Sequence, residues 1–140
     1  MKNFIDQLMK QPNSPETTLI QFTKACGYLY IGIGFLVLLF PQGVIHLGIL
    51  SGFQGQEEGL LRILGLTLSI IGYFYCFGAR THATSFALST VLDRLLVPFV
   101  FLFVYLVSDV HLMLLLPLAI LDPILAVVAI FLWKKQDSID

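Results

Sequence analysis

The sequence predicts an all-α integral membrane protein in which four transmembrane helices form a bundle. Three observations support this fold class: 57% of the 140 residues are hydrophobic, only 12% are charged, and the mean hydropathy is +0.88. Soluble domains carry about 25% charged residues, which help to cover their exposed surface. The composition therefore excludes an ordinary soluble enzyme and a disordered chain, and a net charge of −1 argues against nucleic-acid binding.

Four apolar stretches are each long enough to cross a bilayer once, which takes about 20 residues for a hydrocarbon core of about 30 Å. Backbone polar groups in lipid must be hydrogen-bonded within the segment, so we predict helices. A run such as 95–107 does not alternate apolar and polar residues, as a strand of a transmembrane barrel would. Residues 16–140 are thus expected to form one domain with spans one to four at about 18–40, 60–79, 86–107 and 112–133.

Residues 1–15 are predicted to form a short amphipathic segment at the membrane interface. Phe4, Ile5, Leu8 and Met9 recur at the spacing of one helical stripe, with polar residues between them. An apolar stripe on a short helix favours a position on the membrane surface. The alternative is a frayed chain terminus.

Positively charged residues lie mainly at one end of the predicted bundle. Arg62 falls near the opposite end, and Arg94 lies within a span. Because cytoplasmic loops carry an excess of lysine and arginine, both termini are expected in the cytoplasm. The residues at the cytoplasmic end are Lys2, Lys10, Lys24, Arg80, Lys134 and Lys135.

Three charged residues fall far from the ends of the spans: Asp93, Arg94 and Asp122. An ionised group near the bilayer centre costs at least about 2.5–3.5 kcal/mol, so such side chains normally face the bundle interior and find partners. Spans three and four are joined by a very short turn, and the depths of Arg94 and Asp122 agree within about one helical turn. We therefore predict a ligand-binding or ion-pair cluster in which Arg94 pairs with one or both aspartates. A purely structural ion pair is the alternative.

Span three also carries a polar stripe formed by Ser85, Ser89 and Thr90 together with the charged pair. This stripe indicates a polar cavity reached from the cytoplasm. The alternative is that the stripe belongs to a salt bridge that joins two helices. In span two, Gly65, Ser69 and Gly72 lie on one face, which favours close packing within the molecule over a dimer interface.

Four tyrosines fall in the inner halves of spans one and two: Tyr28, Tyr30, Tyr73 and Tyr75. They are candidates for an apolar ligand pocket with a few hydroxyl groups. The alternative is a set of ordinary interfacial tyrosines. No cofactor is expected, because the sequence lacks the C-x-x-C, H-E-x-x-H, Walker and G-x-G-x-x-G motifs, and no metal site is expected either.

Several short motifs in 62–135 carry a resemblance to a known group of proteins. They are Arg62-Ile63-Leu64-Gly65, Gly72-Tyr73-Phe74-Tyr75 before Ala79-Arg80, Asp93-Arg94-Leu95, and Asp122. With these motifs the chain resembles small bacterial four-helix membrane proteins, DoxX-like in broad outline. The resemblance implies the four-helix architecture and the bacterial inner (cytoplasmic) membrane. It implies no particular reaction, because many members of the group have no assigned biochemistry.

The function favoured by the sequence is that of a non-enzymatic binding or accessory module. Its partners would be the lipid bilayer, a membrane protein or second copy of the chain, or an apolar small molecule, and not nucleic acid. A small transporter or proton-conducting unit that uses Asp93, Arg94 and Asp122 is the first alternative. The second is a membrane enzyme acting on a lipid or quinone, which is less favoured because no nucleophile–base pair is visible.

Overall fold

The computed structural model describes residues 15–50, 52, 53, 55–108, 110 and 112–137, and these residues form five helices. The predicted interfacial segment lies outside the described residues except for Pro15. The described part of the chain contains no strand. In chain order the helices are α1 (Thr18–Leu39), α2 (Gln42–His46), α3 (Glu57–Ala79), α4 (Thr84–Val107) and α5 (Leu112–Asp137).

Four of these helices, all except the short α2, are long and apolar enough to cross a membrane. This finding confirms the predicted all-α fold with four spans. Helix α3 begins three residues earlier than predicted and α5 extends four residues further. Charge at the helix ends explains both extensions: Glu57 and Glu58 favour the positive N-terminal end of α3, and Lys134 and Lys135 favour the negative C-terminal end of α5.

The four long helices run alternately up and down. Leu19 near the start of α1 packs with Ala87 near the start of α4 and with Ala129 near the end of α5. The beginning of α1 and the end of α5 therefore lie at the same end of the bundle. That this end faces the cytoplasm stays a prediction from the distribution of positive charge.

Helices α1 and α3 pack against each other along their length, with backbone against backbone. A methyl group built on Gly65 would lie 2.6 Å from the Leu38 nitrogen, and one built on Gly72 would lie 2.5 Å from the Gly27 carbonyl oxygen. Small residues allow this close approach. The expectation that the small stripe of span two packs within the molecule is thus confirmed.

Helices α4 and α5 form the second pair, and the contacts between the two pairs are fewer than those within each pair. Large apolar side chains such as Phe99, Phe103 and Phe131 point outward on this second pair, as expected for a surface in contact with lipid. Two buried clusters join the pairs. One is centred on Leu19 and the other contains Tyr30 and Tyr75.

Candidate functional site

Each long helix contributes polar side chains to one network between the two helix pairs. Tyr30 of α1 donates a hydrogen bond to Oδ1 of Asp122 on α5. Tyr75 of α3 donates to Oδ2 of Asp93 on α4 at 2.7 Å. The two tyrosine rings meet edge to face, with 5.5 Å between their centroids. All four helices are thereby linked through two tyrosine–aspartate bonds and one ring contact.

The position of Tyr75 shows how residues at different sequence depths meet. Tyr75 lies only four residues before the end of α3, whereas Asp93 is nine residues into α4. Side chains on a helix lean toward its N-terminus. For Tyr75 this direction is toward the middle of the bundle, and for Asp93 it is toward the end of the bundle at which Tyr75 lies. The long phenol therefore reaches the carboxylate across the gap between the helices.

Arg94 is the most deeply buried charged group of the network, with 1% of its surface exposed. Its guanidinium carbon lies 5.0 Å from the centroid of the Tyr75 ring, which is a cation–π contact. The Nε, Nη1 and Nη2 atoms form no hydrogen bond with any residue that the structure describes. The predicted direct pairing of Arg94 with Asp93 or Asp122 is therefore wrong. The tyrosine hydroxyls donate hydrogen bonds to the two carboxylates, and the guanidinium contacts the ring of Tyr75.

The two aspartates differ in exposure, which the sequence did not indicate. Asp122 is 5% exposed, whereas Asp93 is exposed although it lies in the middle of a span. Asp93 sits at the junction of α3 and α4, where contacts are sparse. The network thus has one carboxylate inside the bundle and one at its open edge.

A cavity of about 230 Å³ lies against this network. Its polar groups are contributed by Tyr30, Tyr75, Asp93 and Asp122. The remainder of the wall is apolar except for one hydroxyl, from Thr67, which donates to the carbonyl of Ile63 in its own helix. The other lining residues are Leu64, Leu68, Ile71, Val97, Phe101 and Leu118.

The four tyrosines predicted to share one apolar pocket are divided between two cavities. Tyr30 and Tyr75 line the cavity beside the network, whereas Tyr28 and Tyr73 line a separate groove of about 480 Å³ near the start of α1 and the end of α3. The structure therefore does not bring the four tyrosines together in one pocket. Residues two positions apart on a helix lie on different faces. The spacing of Tyr28 from Tyr30, and of Tyr73 from Tyr75, therefore already indicated that each pair would be divided.

The predicted polar stripe of span three, Ser85, Ser89 and Thr90, lies apart from the cavity beside the network. Ser85 and Ser89 are exposed, and Ser89 donates to the carbonyl of Phe86 at 2.7 Å. Thr90 is buried and donates to the carbonyl of Ala87 at 2.8 Å. None of the three lines the cavity beside the network. Serine and threonine hydroxyls in a helix can donate hydrogen bonds to backbone carbonyls of the preceding turn. A polar stripe in the sequence therefore does not by itself make a polar cavity.

Among the described residues, no group of three or more histidine, cysteine, aspartate or glutamate side chains is placed to hold a metal ion. Sequence reasoning missed both tyrosine–aspartate bonds. The tyrosines were identified as candidates for a pocket and the aspartates as members of a charged cluster. Their pairing depends on how the helices are rotated about their axes, which the sequence pattern does not show.

The chain matches no protein-family model, no curated protein and no solved structure. The resemblance to DoxX-like proteins therefore stays a prediction, and the site has to be interpreted from its own geometry.

Proposed function

We propose that this integral membrane protein is a binding module for a small, mostly apolar molecule that carries one polar group. The observation that supports the proposal is the cavity of about 230 Å³ between the helix pairs, with two carboxylates and two tyrosines at one side of an apolar wall. Ligand sites are typically apolar concavities in which a few polar groups fix the orientation of the ligand. Sites between helices of a bundle are common among them.

The size of the cavity limits what enters it. Cavities for drug-sized ligands usually measure about 300–1,000 Å³. The cavity beside the network is smaller. It accommodates a ring or a short chain, while the remainder of a larger lipid-like molecule would stay in the bilayer.

The edge of the cavity at Asp93 is the natural route of entry. Asp93 is exposed and lines the cavity, and α3 and α4 make few contacts with each other. A molecule dissolved in the bilayer would reach the cavity laterally, without crossing the helix ends. The apolar side chains of Val97 and Phe101 continue the wall beyond the carboxylate.

The polar groups define the complementary chemistry of the ligand. Carboxylate oxygens accept hydrogen bonds, and an ionised carboxylate that faces hydrocarbon is costly without a partner. Asp93 and Asp122 each use one oxygen for a tyrosine and also line the cavity. A ligand with a hydrogen-bond donor or a positive charge, such as an alcohol or an amine, fits this arrangement.

The test compares two valine-to-phenylalanine changes on the same helix. Val97 lines the cavity, whereas Val100 is 54% exposed on the lipid-facing surface. The protein is extracted gently from its native membranes and examined by native mass spectrometry. A bound mass is expected on the unmodified protein and on the Val100→Phe variant, and it should be lost from Val97→Phe because the added ring fills the cavity.

Asp93→Asn provides a second variant that keeps an acceptor for Tyr75 but removes the charge; we expect it to weaken retention of the bound mass. Bound mass that is equal in all variants, or a partner subunit as the only adduct, would contradict the proposal.

An empty cavity together with proton flux that Asp93→Asn abolishes in vesicles would instead favour a proton-conducting unit. The tyrosine–aspartate bonds are the feature that supports this second function.

A further inference from the structure

The groove near the start of α1 and the end of α3 is separate from the cavity beside the network. It measures about 480 Å³, and the two have no lining residue in common. We call it the end groove. It lies at the end of the bundle where positive residues are concentrated, which is the end predicted to face the cytoplasm. The function proposed above does not use it.

The rim of the end groove is basic. Lys24 comes from α1, and Arg80 and His82 come from the turn that follows α3. His82 has a φ of 51°, a left-handed conformation that is uncommon for a residue other than glycine. This tight turn places Arg80 and His82 in the lining of the groove to which Lys24 of α1 also contributes. Glu16 also lines the groove and lies 3.7 Å from the Lys24 amine.

The wall further into the groove is aromatic. Tyr28 and Tyr73 are 62% and 45% exposed, and Tyr73 packs on Phe77 with 4.4 Å between the ring centroids. Tyr28 is ten residues from the start of α1, which corresponds to about 15 Å along the helix axis. Tyr73 is six residues, or about 9 Å, from the end of α3. Lys24 is likewise six residues from the start of α1, but its side chain leans toward that end of the helix, whereas the Tyr73 side chain leans toward the middle of the bundle. The basic groups therefore lie at the mouth, and the amphipathic rings lie deeper.

We propose that the end groove binds an anionic phospholipid. The phosphate would lie at the mouth between Lys24 and Arg80, and the glycerol and upper acyl chain would lie along Tyr28 and Tyr73. Basic residues near the membrane surface attract anionic lipid headgroups, and tyrosine is favoured at the level where headgroup and hydrocarbon meet. The ion pair of Lys24 with Glu16 is partly exposed, so a phosphate competes with it at little cost.

The chemistry of the mouth would also suit a free phosphate ion, so the experiment separates the two sources. The full-length protein is placed in nanodiscs of phosphatidylcholine with phosphatidylglycerol, released, and examined by native mass spectrometry for retained phosphatidylglycerol. A second sample in phosphatidylcholine alone receives inorganic phosphate. The variants are Lys24→Gln and Arg80→Gln, and the matched control is Lys135→Gln. Lys135 is exposed at the same end of the bundle but outside the groove.

Retained phosphatidylglycerol is expected to fall about fivefold in Lys24→Gln and in Arg80→Gln, since each variant loses a direct hydrogen bond to the phosphate that contributes about 1 kcal/mol. Lys135→Gln should leave retention unchanged, and inorganic phosphate should not bind. Equal losses in all three variants would show general surface attraction and overturn the proposal. Binding of inorganic phosphate without a preference for phosphatidylglycerol would overturn the lipid assignment. Circular dichroism of each variant verifies that the helices are retained.

Discussion

The interface between α1 and α3 and the network between the two helix pairs hold the same bundle together by different means. In the first, glycine backbones touch: a methyl group on Gly34 or Gly65 would meet backbone atoms of the opposite helix at 2.6 Å. In the second, long side chains span a gap, and a cavity remains beside them. The first interface leaves no room for change, whereas the second contains empty volume and a guanidinium without a hydrogen-bond partner among the described residues.

The two regions differ in how far stability alone accounts for their composition. Packing of small residues stabilises a helix pair without any polar group. A buried charge without hydrogen bonds lowers stability, so its presence calls for an explanation other than stability. We interpret the α1–α3 pair as a rigid frame, and under the proposed function the network is the part that would bind the ligand. Changes in the stability of variants in each region test this division.

The largest effect is expected for Gly72→Ala in the α1–α3 interface. The new methyl group would lie 2.5 Å from the Gly27 carbonyl oxygen and 2.7 Å from the Ile31 nitrogen, so the backbones must separate. Overpacking of this kind costs about 1–3 kcal/mol. The measurement is unfolding by dodecyl sulfate in mixed micelles. Gly32→Ala is the control, because nothing lies within 4 Å of its new methyl group. A Gly72→Ala protein as stable as the control would contradict the rigid-frame interpretation.

A gain in stability is expected when Arg94→Met and Asp122→Asn are combined. The double change removes one charge of each sign, and the asparagine carbonyl still accepts the Tyr30 bond. Replacing buried charges by groups of similar volume often stabilises by about 1 kcal/mol or more. The partly exposed pair of Arg62 and Glu58, 2.8 Å apart, provides a control. Glu58→Gln should change stability by only about 0.5 kcal/mol, because Arg62 keeps its hydrogen bond to the Leu38 carbonyl. A large loss of stability in the buried double variant would show that the cluster is structural.

The smallest effect is expected for Tyr30→Phe, which removes the hydroxyl that donates to Asp122. Hydrogen bonds between membrane helices contribute about 0.6 kcal/mol on average and at most about 1.7 kcal/mol. The same unfolding assay should show a loss within that range. Tyr105→Phe, at a residue that is 44% exposed, should show none. Identical stability of the two variants would argue that the Tyr30–Asp122 bond contributes nothing.

The spans were predictable because each depends on local composition. Helix α4 begins two residues before the predicted boundary and ends at the predicted one, and the Gly65 and Gly72 contacts follow from small residues on one face. The network was only partly predictable. Asp93, Arg94 and Asp122 were identified from the cost of charge in lipid, but their expected partners were wrong. The tyrosines that bind the aspartates are 92 and 18 residues away from them in the chain.

The sequence by itself determined the fold class, the four spans and the three charged residues within them. These follow from hydrophobicity and from the requirement that backbone groups in lipid be hydrogen-bonded, and both are properties of a single segment. Only the tertiary structure decided that tyrosines and not Arg94 bind the aspartates, and that the four tyrosines divide between a cavity and a groove. Those outcomes depend on the rotation and separation of packed helices, which the pattern of one helix does not contain.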